Sequence, residues 1–523
     1  MTNDPARRLE EIAGSFFSFL ERSFPVCSAS DEFYFFPQIG LGGSNRAAWD
    51  DFSPETIREF AEKSRSWEAG LDRFSPGLTD PEAAVELDLL KRALSTLREE
   101  LTEVRSHLTQ PSFHLTVITA GLAEALEKSD QELWKRRVED MPAFLDMSRR
   151  NLQSVPELFR ELGLEMIPGC RRWLGKLNEK RGGLTSCLEA LDRFEQDLRS
   201  LAGPSDFRPG KGLFDRIVRR HLGWGKGLKE AREEIEDEIH LAEENLKKEA
   251  ANLLPGADWP KALSAIAIPE LPPGGFLDLF REEIEKLAAH CAKLGVIAPD
   301  AGRGASPRVA PVPPYLSAVR TASSYSIPPG HPAGSGTFYV ISMESDRPAP
   351  DYRMLTAHET YPGHHLLDTS RWNLPRPLRR HFESPLFYEG WACFGEELMA
   401  RTGYFEGPAD RFLLARRRLW RALRGKMDLG LQTGEMDIED AAGLLSRAGL
   451  DRKRALSAAR RYALRPGYQM CYTLGLKRFL GLYSRYGADD PARFARIVLS
   501  GGEIPFEALE RIFNSQNQQG KEE

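Results

Sequence analysis

Apolar residues recur at steps of three and four along several stretches of the chain, the spacing that places them on one face of an α-helix. One stripe covers Leu87–Leu108 and another covers Leu228–Leu253, where Glu and Lys residues three or four apart support the helix further. A third covers Val138–Phe159, although Pro142 and Pro156 predict a kink or a restart at each proline. Each stripe is short and interrupted, so the pattern favours packing inside a helical bundle over a coiled coil.

The pattern changes over residues 295–316, where Pro and Gly replace the periodic apolar residues and predict a connector. After a second stretch rich in Pro and Gly, the β-prone run Thr337–Ile341 is the best strand candidate, and helical patterns then resume. The sequence therefore predicts a mainly α protein. It divides into a helical half over 1–294, the connector, and a half over 317–523 that holds a small β-sheet, together forming one composite unit around a cleft.

Composition narrows the class of protein. The 523 residues include 71 Lys and Arg against 77 Asp and Glu, so the net charge is close to neutral. Such a protein has no overall positive potential to attract phosphates, and nucleic acid is therefore not an expected partner. No stretch reaches the roughly 20 apolar residues of a membrane span, and residues 1–25 carry acids where a signal peptide needs an apolar core. The six scattered cysteines form no C-x-x-C pair, which suits a reducing compartment. We therefore expect a cytoplasmic protein with no membrane partner.

Three of the ten histidines crowd into one short run, His358-Glu359-Thr360-Tyr361-Pro362-Gly363-His364-His365. In the zinc helix H-E-x-x-H, two histidines four apart share a face and the Glu acts as general base. Here Pro362 holds the fifth position, and on a regular helix His365 returns to the face of His358 about two turns away, too far for one ion. A bulge or break at Pro362 would absorb the two-residue insertion and make His364 the better second ligand. His365 would then support a ligand, contact substrate or pack in the interior.

A zinc site with two histidines often takes a carboxylate as its third ligand. Glu389 is the candidate, because it lies among aromatic residues in a predicted helix over 387–398 and outside any charge run. Alone it would be interpreted as an acid at a helix N-terminus. Beside the histidine cluster the ligand interpretation is favoured. For Glu396 and Glu397, two turns further on, a solvated position is favoured over one behind the ligands.

These motifs resemble those of a known family, the bacterial domain-of-unknown-function 885 family. The resemblance rests on His358-Glu359-x-x-Pro362-Gly363-His364-His365, on Glu389-Gly390-Trp391-Ala392, and on Pro466-Gly467-x-x-x-x-Tyr472-x-x-Gly475. Members are regarded as zinc-peptidase-like, distantly similar to helical gluzincins such as thimet oligopeptidase and the carboxypeptidase Taq group. The resemblance implies a large helical metallopeptidase-like fold with a small β-sheet beside the metal helix. The chain departs from the family pattern at Leu367, at Phe394 and at Tyr468-Gln469, which bears on the substrate pocket and not on the ligands.

From these features we expect a zinc-dependent hydrolase, a metallopeptidase of short peptides, with one zinc ion on His358, His364 and Glu389. The metal would polarise the scissile carbonyl and lower the pKa of its bound water, whose proton Glu359 would accept. Tyr472 is the candidate donor to the oxyanion.

Several residues are candidates for contact with substrate. Arg465 or Arg461 could hold a substrate carboxylate through a bidentate pair, and Tyr468 and His365 would line the pocket. The strand that contains Tyr339 could add an extended peptide to its edge by backbone hydrogen bonds.

Two alternatives stay open. The same groups could hydrolyse a small non-peptide amide or ester, or the chain could be a catalytically silent binding protein that retains the fold. The intact Glu359 argues against the silent binder, because such a protein has no need of a general base. The sequence sets neither the identity of the metal nor the oligomeric state.

Overall fold

The computed structural model describes residues 5–40, 44–297, 306–314, 322–341 and 347–522. Over this part of the chain the protein is mainly α-helical with one three-stranded sheet, which confirms the predicted fold class. Residues 298–305 and 315–316 of the predicted connector lie outside the described residues. None of the described helices combines the length and the hydropathy needed to cross a membrane.

The chain forms two compact units. The first comprises Met1–Pro209, Val312–Thr321 and Pro328–Gly330, and the second comprises Gly210–Pro311, Ala322–Ile327 and His331–Glu523. The division of the sequence at residues 294 and 316 stays a prediction.

The first unit is helical, and its helices are α1 (Pro5–Ser23), α2 (Pro25–Ser28), α3 (Pro54–Phe74), α4 (Pro81–Glu99), α5 (Ser106–Thr109), α6 (Pro111–Glu127), α7 (Gln131–Asn151), α8 (Glu157–Arg181) and α9 (Thr185–Ser200). The stripe predicted over Leu87–Leu108 becomes α4, a π-helical turn over Glu100–Val104, and α5. Helix α7 continues through Pro142, whereas α8 begins after Pro156. Only the second proline therefore lies at a helix boundary.

The second unit holds the remaining helices and the sheet. Its helices are α10 (Lys211–Arg216), α11 (Leu228–Leu253), α12 (Trp259–Ser264), α13 (Phe276–Leu294), α14 (Tyr352–Glu359), α15 (His364–Trp372), α16 (Pro385–Arg401), α17 (Pro408–Thr433), α18 (Ile438–Arg447), α19 (Arg452–Tyr462), α20 (Cys471–Tyr486), α21 (Pro491–Gly501) and α22 (Phe506–Glu522). The strands are β1 (Arg308–Pro311), β2 (Ser324–Ser326) and β3 (Thr337–Val340). Short 3₁₀ or π turns cover Ser44–Ala47, Ser75–Gly77, Ile217–His221, Pro377–His381 and Tyr468–Met470.

Strand β3 is the middle strand of the sheet. It pairs with β1 in parallel and with β2 in antiparallel, in the order β1-β3-β2. The expectation that an extended peptide adds to the edge of β3 is therefore wrong, because both of its edges are already paired. Tyr339 is buried in β3, opposite Ala310 of β1 and Ser324 of β2.

Two long helix pairs form the frame that positions the site. The stripe predicted over Leu228–Leu253 is α11, with the same bounds, and its buried residues pack along α17. Helix α16 packs along α20 and also contacts α14. The chemistry-bearing residues Glu359, Glu389 and Tyr472 therefore lie on neighbouring elements of one unit.

Candidate metal centre

The histidine-rich helix is interrupted, as the position of Pro362 predicted. Helix α14 ends at Glu359 and α15 begins at His364. Within the break, the amide of Gly363 donates to the carbonyl of Ala357 at 3.1 Å. A Cβ on Gly363 would lie only 1.8 Å from the carbonyl oxygen of His358, so glycine is the residue that this close backbone approach allows. The break brings the imidazole of His364 to that of His358, with ring centroids 4.7 Å apart.

Three side chains converge beside this break. The ligand atoms of His358, His364 and Glu389 all lie within 4.8 Å of one another, and all three residues are buried. The Nε2 atoms of His358 and His364 lie 3.4 and 3.6 Å from Oε2 of Glu389. Ligand atoms held at about 2.0–2.1 Å from a tetrahedral zinc are separated by about 3.3 Å. Glu389 Oε2 is also buried without a hydrogen-bond donor among the described residues. The two-histidine, one-carboxylate set therefore fits a zinc ion.

A buried carboxylate orients the first histidine. Nδ1 of His358 lies 3.0 Å from Oε1 of Glu396 and 3.2 Å from Nη2 of Arg421. A proton on Nδ1 directed at Glu396 would leave the Nε2 lone pair directed toward Glu389. Arg417 and Arg421 each donate two hydrogen bonds to Glu396, at 2.5–3.0 Å. Burial would raise the pKa of Glu396, but these two guanidinium groups hold it well below its ordinary value.

The expectation that Glu396 and Glu397 are solvated is wrong. Glu396 is fully buried and Glu397 is 6% exposed, and Glu397 lies 3.5 Å from Arg418. Burial is tolerated because α17 supplies cationic partners to both acids.

The ligand group, which comprises His358, His364 and Glu389, brings groups of opposite charge together. Burial favours the neutral form of Glu389, yet the neighbouring imidazoles of His358 and His364 hold its pKa well below the ordinary value. Burial likewise disfavours a charged His358, yet Cys393, Glu389 and Glu396 raise its pKa well above 6.5. A proton on Nε2 and a metal ion would compete for the same lone pair, so binding of metal would release protons.

Glu359 lies beside the ligand group and contacts the sheet. Its Oε2 accepts a 2.8 Å hydrogen bond from the backbone amide of Tyr325 in β2, which places the small sheet next to the metal helix as predicted. Burial raises the pKa of Glu359, although His364, His358 and the Tyr325 amide act in the opposite direction. A carboxylate with a raised pKa is suited to accepting a proton near neutral pH.

His365 does not join the ligand group. Its Nδ1 lies 2.9 Å from the Tyr325 hydroxyl and its Nε2 lies 3.0 Å from the Tyr361 hydroxyl. Burial lowers the pKa of His365 to about 3, so the ring is neutral. Both ring nitrogens are used inside the protein, and the substrate contact predicted for His365 is not supported by this placement.

Tyr468 and Tyr472 both lie beside the candidate ligands. The Tyr468 hydroxyl donates to Oε1 of Glu389 at 2.9 Å, so it holds a ligand where a pocket-wall contact was predicted. The half-buried Tyr472 ring lies 6.4 Å from the ring of His358, nearly parallel to it. Arg465 is exposed, with its guanidinium 5.9 Å from the Tyr468 ring. The catalytic and substrate-binding roles of these residues stay predictions.

Two glycines explain why the Glu389 and Tyr472 motifs occur together. A Cβ on Gly390 would lie 2.6 Å from the backbone of Gly475, and a Cβ on Gly475 would lie 2.2 Å from the carbonyl oxygen of Leu386. Helices α16 and α20 therefore touch backbone to backbone, which brings Tyr472 to the ligand side of α16. In addition, Trp391 Nε1 donates to the carbonyl of Pro362 at 2.8 Å and ties α16 to the break.

Helix α17 holds residues of the site that sequence reasoning missed. Arg417, Arg421 and Arg424 follow one another at steps of four and three, which places them on one face of the helix. That spacing is a signal in the sequence for a cationic face of the helix, but it does not show which acids the face neutralises.

The chain belongs to a bacterial family of proteins of unknown function, DUF885, whose model matches residues 37–512. This confirms the resemblance drawn from the motifs. No curated protein matches the chain.

At least two solved structures share the fold. A "putative lipoprotein" of unknown function from Shewanella oneidensis is 18% identical with a TM-score of 0.75, covering 96% of this chain and 99% of its own. A "putative lipoprotein" from Colwellia psychrerythraea is 17% identical with a TM-score of 0.78, covering 99% and 100%. Trypanosoma cruzi metallocarboxypeptidase 1 is 13% identical with a TM-score of 0.43, covering 98% and 92%.

The expectation of a cytoplasmic protein is contradicted by these comparisons, because the structures from Shewanella oneidensis and Colwellia psychrerythraea are both described as those of lipoproteins. That expectation rested on residues 1–25 and on the spacing of the cysteines. All six cysteines are buried, so burial accounts for their free thiols and the redox state of a compartment is not needed to explain them.

Proposed function

We propose that this DUF885 protein is a zinc-dependent hydrolase that cleaves amide bonds in short peptides. The observation that carries the proposal is the convergence of His358, His364 and Glu389, with ligand atoms within 4.8 Å of one another and a carboxylate neighbour, Glu359, of raised pKa. These three ligands would hold the ion and leave a position open. A bound zinc supplies Lewis acidity toward a carbonyl oxygen and makes a bound water more acidic.

Other residues of the chain would transfer the proton, orient the ligands and stabilise the developing negative charge. The Tyr325 amide holds Oε2 of Glu359, so Oε1 is the oxygen available to take a proton from the attacking water and return it to the leaving amine. Tyr468 fixes Glu389 through its other oxygen, and Glu396 fixes His358. The Tyr472 hydroxyl would donate a hydrogen bond to the oxygen that becomes negative as water adds.

The test begins with metal content. The protein, purified without a histidine tag or added metal, should contain about one zinc per chain by mass spectrometry, and His358→Ala should lose it. The Glu359→Gln variant should keep the metal and lose cleavage of a mixed pool of short peptides by several orders of magnitude, because Gln cannot accept the proton.

Two results would contradict the proposal. One is a protein that binds no metal even after incubation with zinc, which would favour the silent binding protein. The other is a loaded protein that cleaves esters or non-peptide amides while leaving every peptide intact, which would favour the alternative hydrolase.

A further inference from the structure

One face of α17 carries three arginines at consecutive turns, and they are not equivalent. Arg417 and Arg421 are neutralised by Glu396, to which each donates two hydrogen bonds. Arg424 continues the same face, and its guanidinium donates hydrogen bonds to the side-chain amide oxygen of Gln469. The face therefore ends in a cation hydrogen-bonded to a neutral amide. Glu389 and Asp428 are near enough to act on its charge, but their oxygens accept hydrogen bonds from Tyr468 and from backbone amides.

The structure holds the Arg424 guanidinium in place with neutral groups. Nε and Nη2 both donate to Oε1 of Gln469, the former at 2.8 Å. The guanidinium carbon lies 4.3 Å from the Tyr472 ring, and the rings of Tyr462 and Trp420 lie 5.0 and 5.7 Å away. A guanidinium packed on three aromatic rings and hydrogen-bonded to one amide is oriented, while it keeps further N–H donors for another acceptor.

The nearest acid along the helix serves another purpose. Asp428 lies one turn after Arg424, and its two carboxylate oxygens accept the backbone amides of Gly467 and Gln469 at 3.1 and 2.9 Å. Asp428 therefore holds the turn over Tyr468–Met470, which contains Gln469 and leads into α20. Because Tyr472 lies in the first turn of α20, the same contact positions both Gln469 and Tyr472 beside Arg424.

Arg424 is also close to the ligand group. Tyr472 is the common neighbour of Arg424 and His358, at 4.3 Å from the guanidinium carbon and 6.4 Å from the imidazole centroid. Arg424 is half-buried, so part of it is open to solvent. Since consecutive residues of an extended peptide advance about 3.3–3.6 Å, a group one or two residues from the cleaved bond could reach it.

We propose that Arg424 binds a carboxylate of the substrate, one or two residues from the cleaved bond, and so selects anionic peptides. This inference rests on the proposed function, because it assigns the substrate class of the same site. An arginine stays charged at every physiological pH, and its fork of donors matches a carboxylate. The carboxylate can be the free C-terminus of a peptide or an acidic side chain, since both present the same two oxygens.

Three pools of random short peptides distinguish these sources. One pool has free C-termini and no Asp or Glu, the second has amidated C-termini and no Asp or Glu, and the third has amidated C-termini with one Glu per peptide. Cleavage by the zinc-loaded protein is followed by mass spectrometry. Retention by the metal-stripped protein is followed by ultrafiltration, which reads binding without catalysis.

We expect one carboxylate pool to be cleaved and retained at least tenfold better than the neutral pool. Arg424→Gln should remove that preference while cleavage of the neutral pool persists, and Arg424→Lys should keep part of it, because Lys retains the charge and loses the fork. Arg411→Gln is the control, since Arg411 is an exposed arginine of the same helix that pairs with Glu249, and it should leave the preference intact.

The results also separate this inference from the proposed function. If no pool is cleaved but the metal-stripped protein retains anionic peptides and Arg424→Gln does not, the carboxylate site stands and the peptidase fails. Equal retention of the three pools by the wild-type protein, or a preference that survives in a folded Arg424→Gln variant, would overturn the carboxylate site. Circular dichroism and the melting temperature of Arg424→Gln establish that its loss of preference is not unfolding.

Discussion

Nδ1 of His358 lies 3.0 Å from Oε1 of Glu396, although the two residues belong to different helices and Glu396 is fully buried. This contact turns the Nε2 atom of His358 toward Glu389 and links the ligand group to the arginines of α17. The same carboxylate therefore fixes the tautomer of a predicted ligand and neutralises two buried cations.

Replacement of Glu396 should weaken metal binding without removing a ligand. In Glu396→Gln, the amide no longer selects the tautomer of His358, and we expect the zinc affinity to fall about 10–100-fold. Zinc affinity can be measured by competition with a chromophoric chelator. Glu397→Gln is the matched control, because the adjacent acid pairs with Arg418 and not with His358. Equal zinc affinities for the two variants would show that the His358 contact contributes nothing to the site.

The crossing of α16 and α20 should tolerate no side chain at Gly475. Ala at this position places Cβ within 2.2 Å of the Leu386 carbonyl oxygen, so Gly475→Ala should lower the free energy of unfolding by about 1–3 kcal/mol or more. Gly481→Ala, on the same helix with nothing within 4 Å of the new Cβ, should be neutral or stabilising by up to about 1 kcal/mol. Urea denaturation measures both. A Gly475→Ala protein as stable as Gly481→Ala would refute the close crossing.

The two adjacent histidines should differ in their effect on metal content. His364→Ala removes an Nε2 that lies 3.6 Å from Glu389 Oε2 and should lose zinc. His365→Ala removes only the hydrogen bonds to Tyr325 and Tyr361 and should keep about one zinc per chain. Mass spectrometry of the native proteins gives the metal content of both. The reverse result would exchange the assignments.

Some of these features could be predicted from the sequence because they depend on local information. Helix α11 follows from the spacing of its own apolar residues, and the break before His364 follows from Pro362 and Gly363 within a motif of known spacing. Strands β1 and β2 could not be predicted, since Arg-Val-Ala-Pro and Ser-Tyr-Ser lack the run of β-branched and aromatic residues that identifies β3, Thr-Phe-Tyr-Val.

Other features depend on partners far away in the chain. Glu396 is buried only because Arg417 and Arg421, on the next long helix, neutralise it, and a sequence pattern cannot show which cations will face which acids. Likewise, Tyr468 could be recognised as part of the site, but its hydrogen bond to Glu389 spans 79 residues of sequence. This contact cannot be read from the sequence, so Tyr468 was predicted to form part of the pocket wall.

Acid should destabilise the first unit through a histidine that is unrelated to the metal site. His114 is fully buried, its Nε2 donates to the His107 carbonyl at 2.8 Å, and its Nδ1 has no hydrogen-bond partner among the described residues. Burial lowers the pKa of His114 to about 4 from 6.5. Between these values the unfolded chain binds a proton that the folded chain does not, so stability is present above about pH 6.5 and is lost as the pH falls toward 4. One pKa unit corresponds to about 1.4 kcal/mol, so the loss is on the order of 3 kcal/mol.

In His114→Gln, the side chain can still donate to His107 but does not titrate. Urea denaturation at pH 7, 6, 5 and 4 should therefore show a shallower decline for His114→Gln than for the wild-type protein. Parallel declines would mean that His114 takes up its proton without unfolding, and that its surroundings are less apolar than Phe52, Phe113 and Phe144, whose rings lie within 6.1 Å, imply.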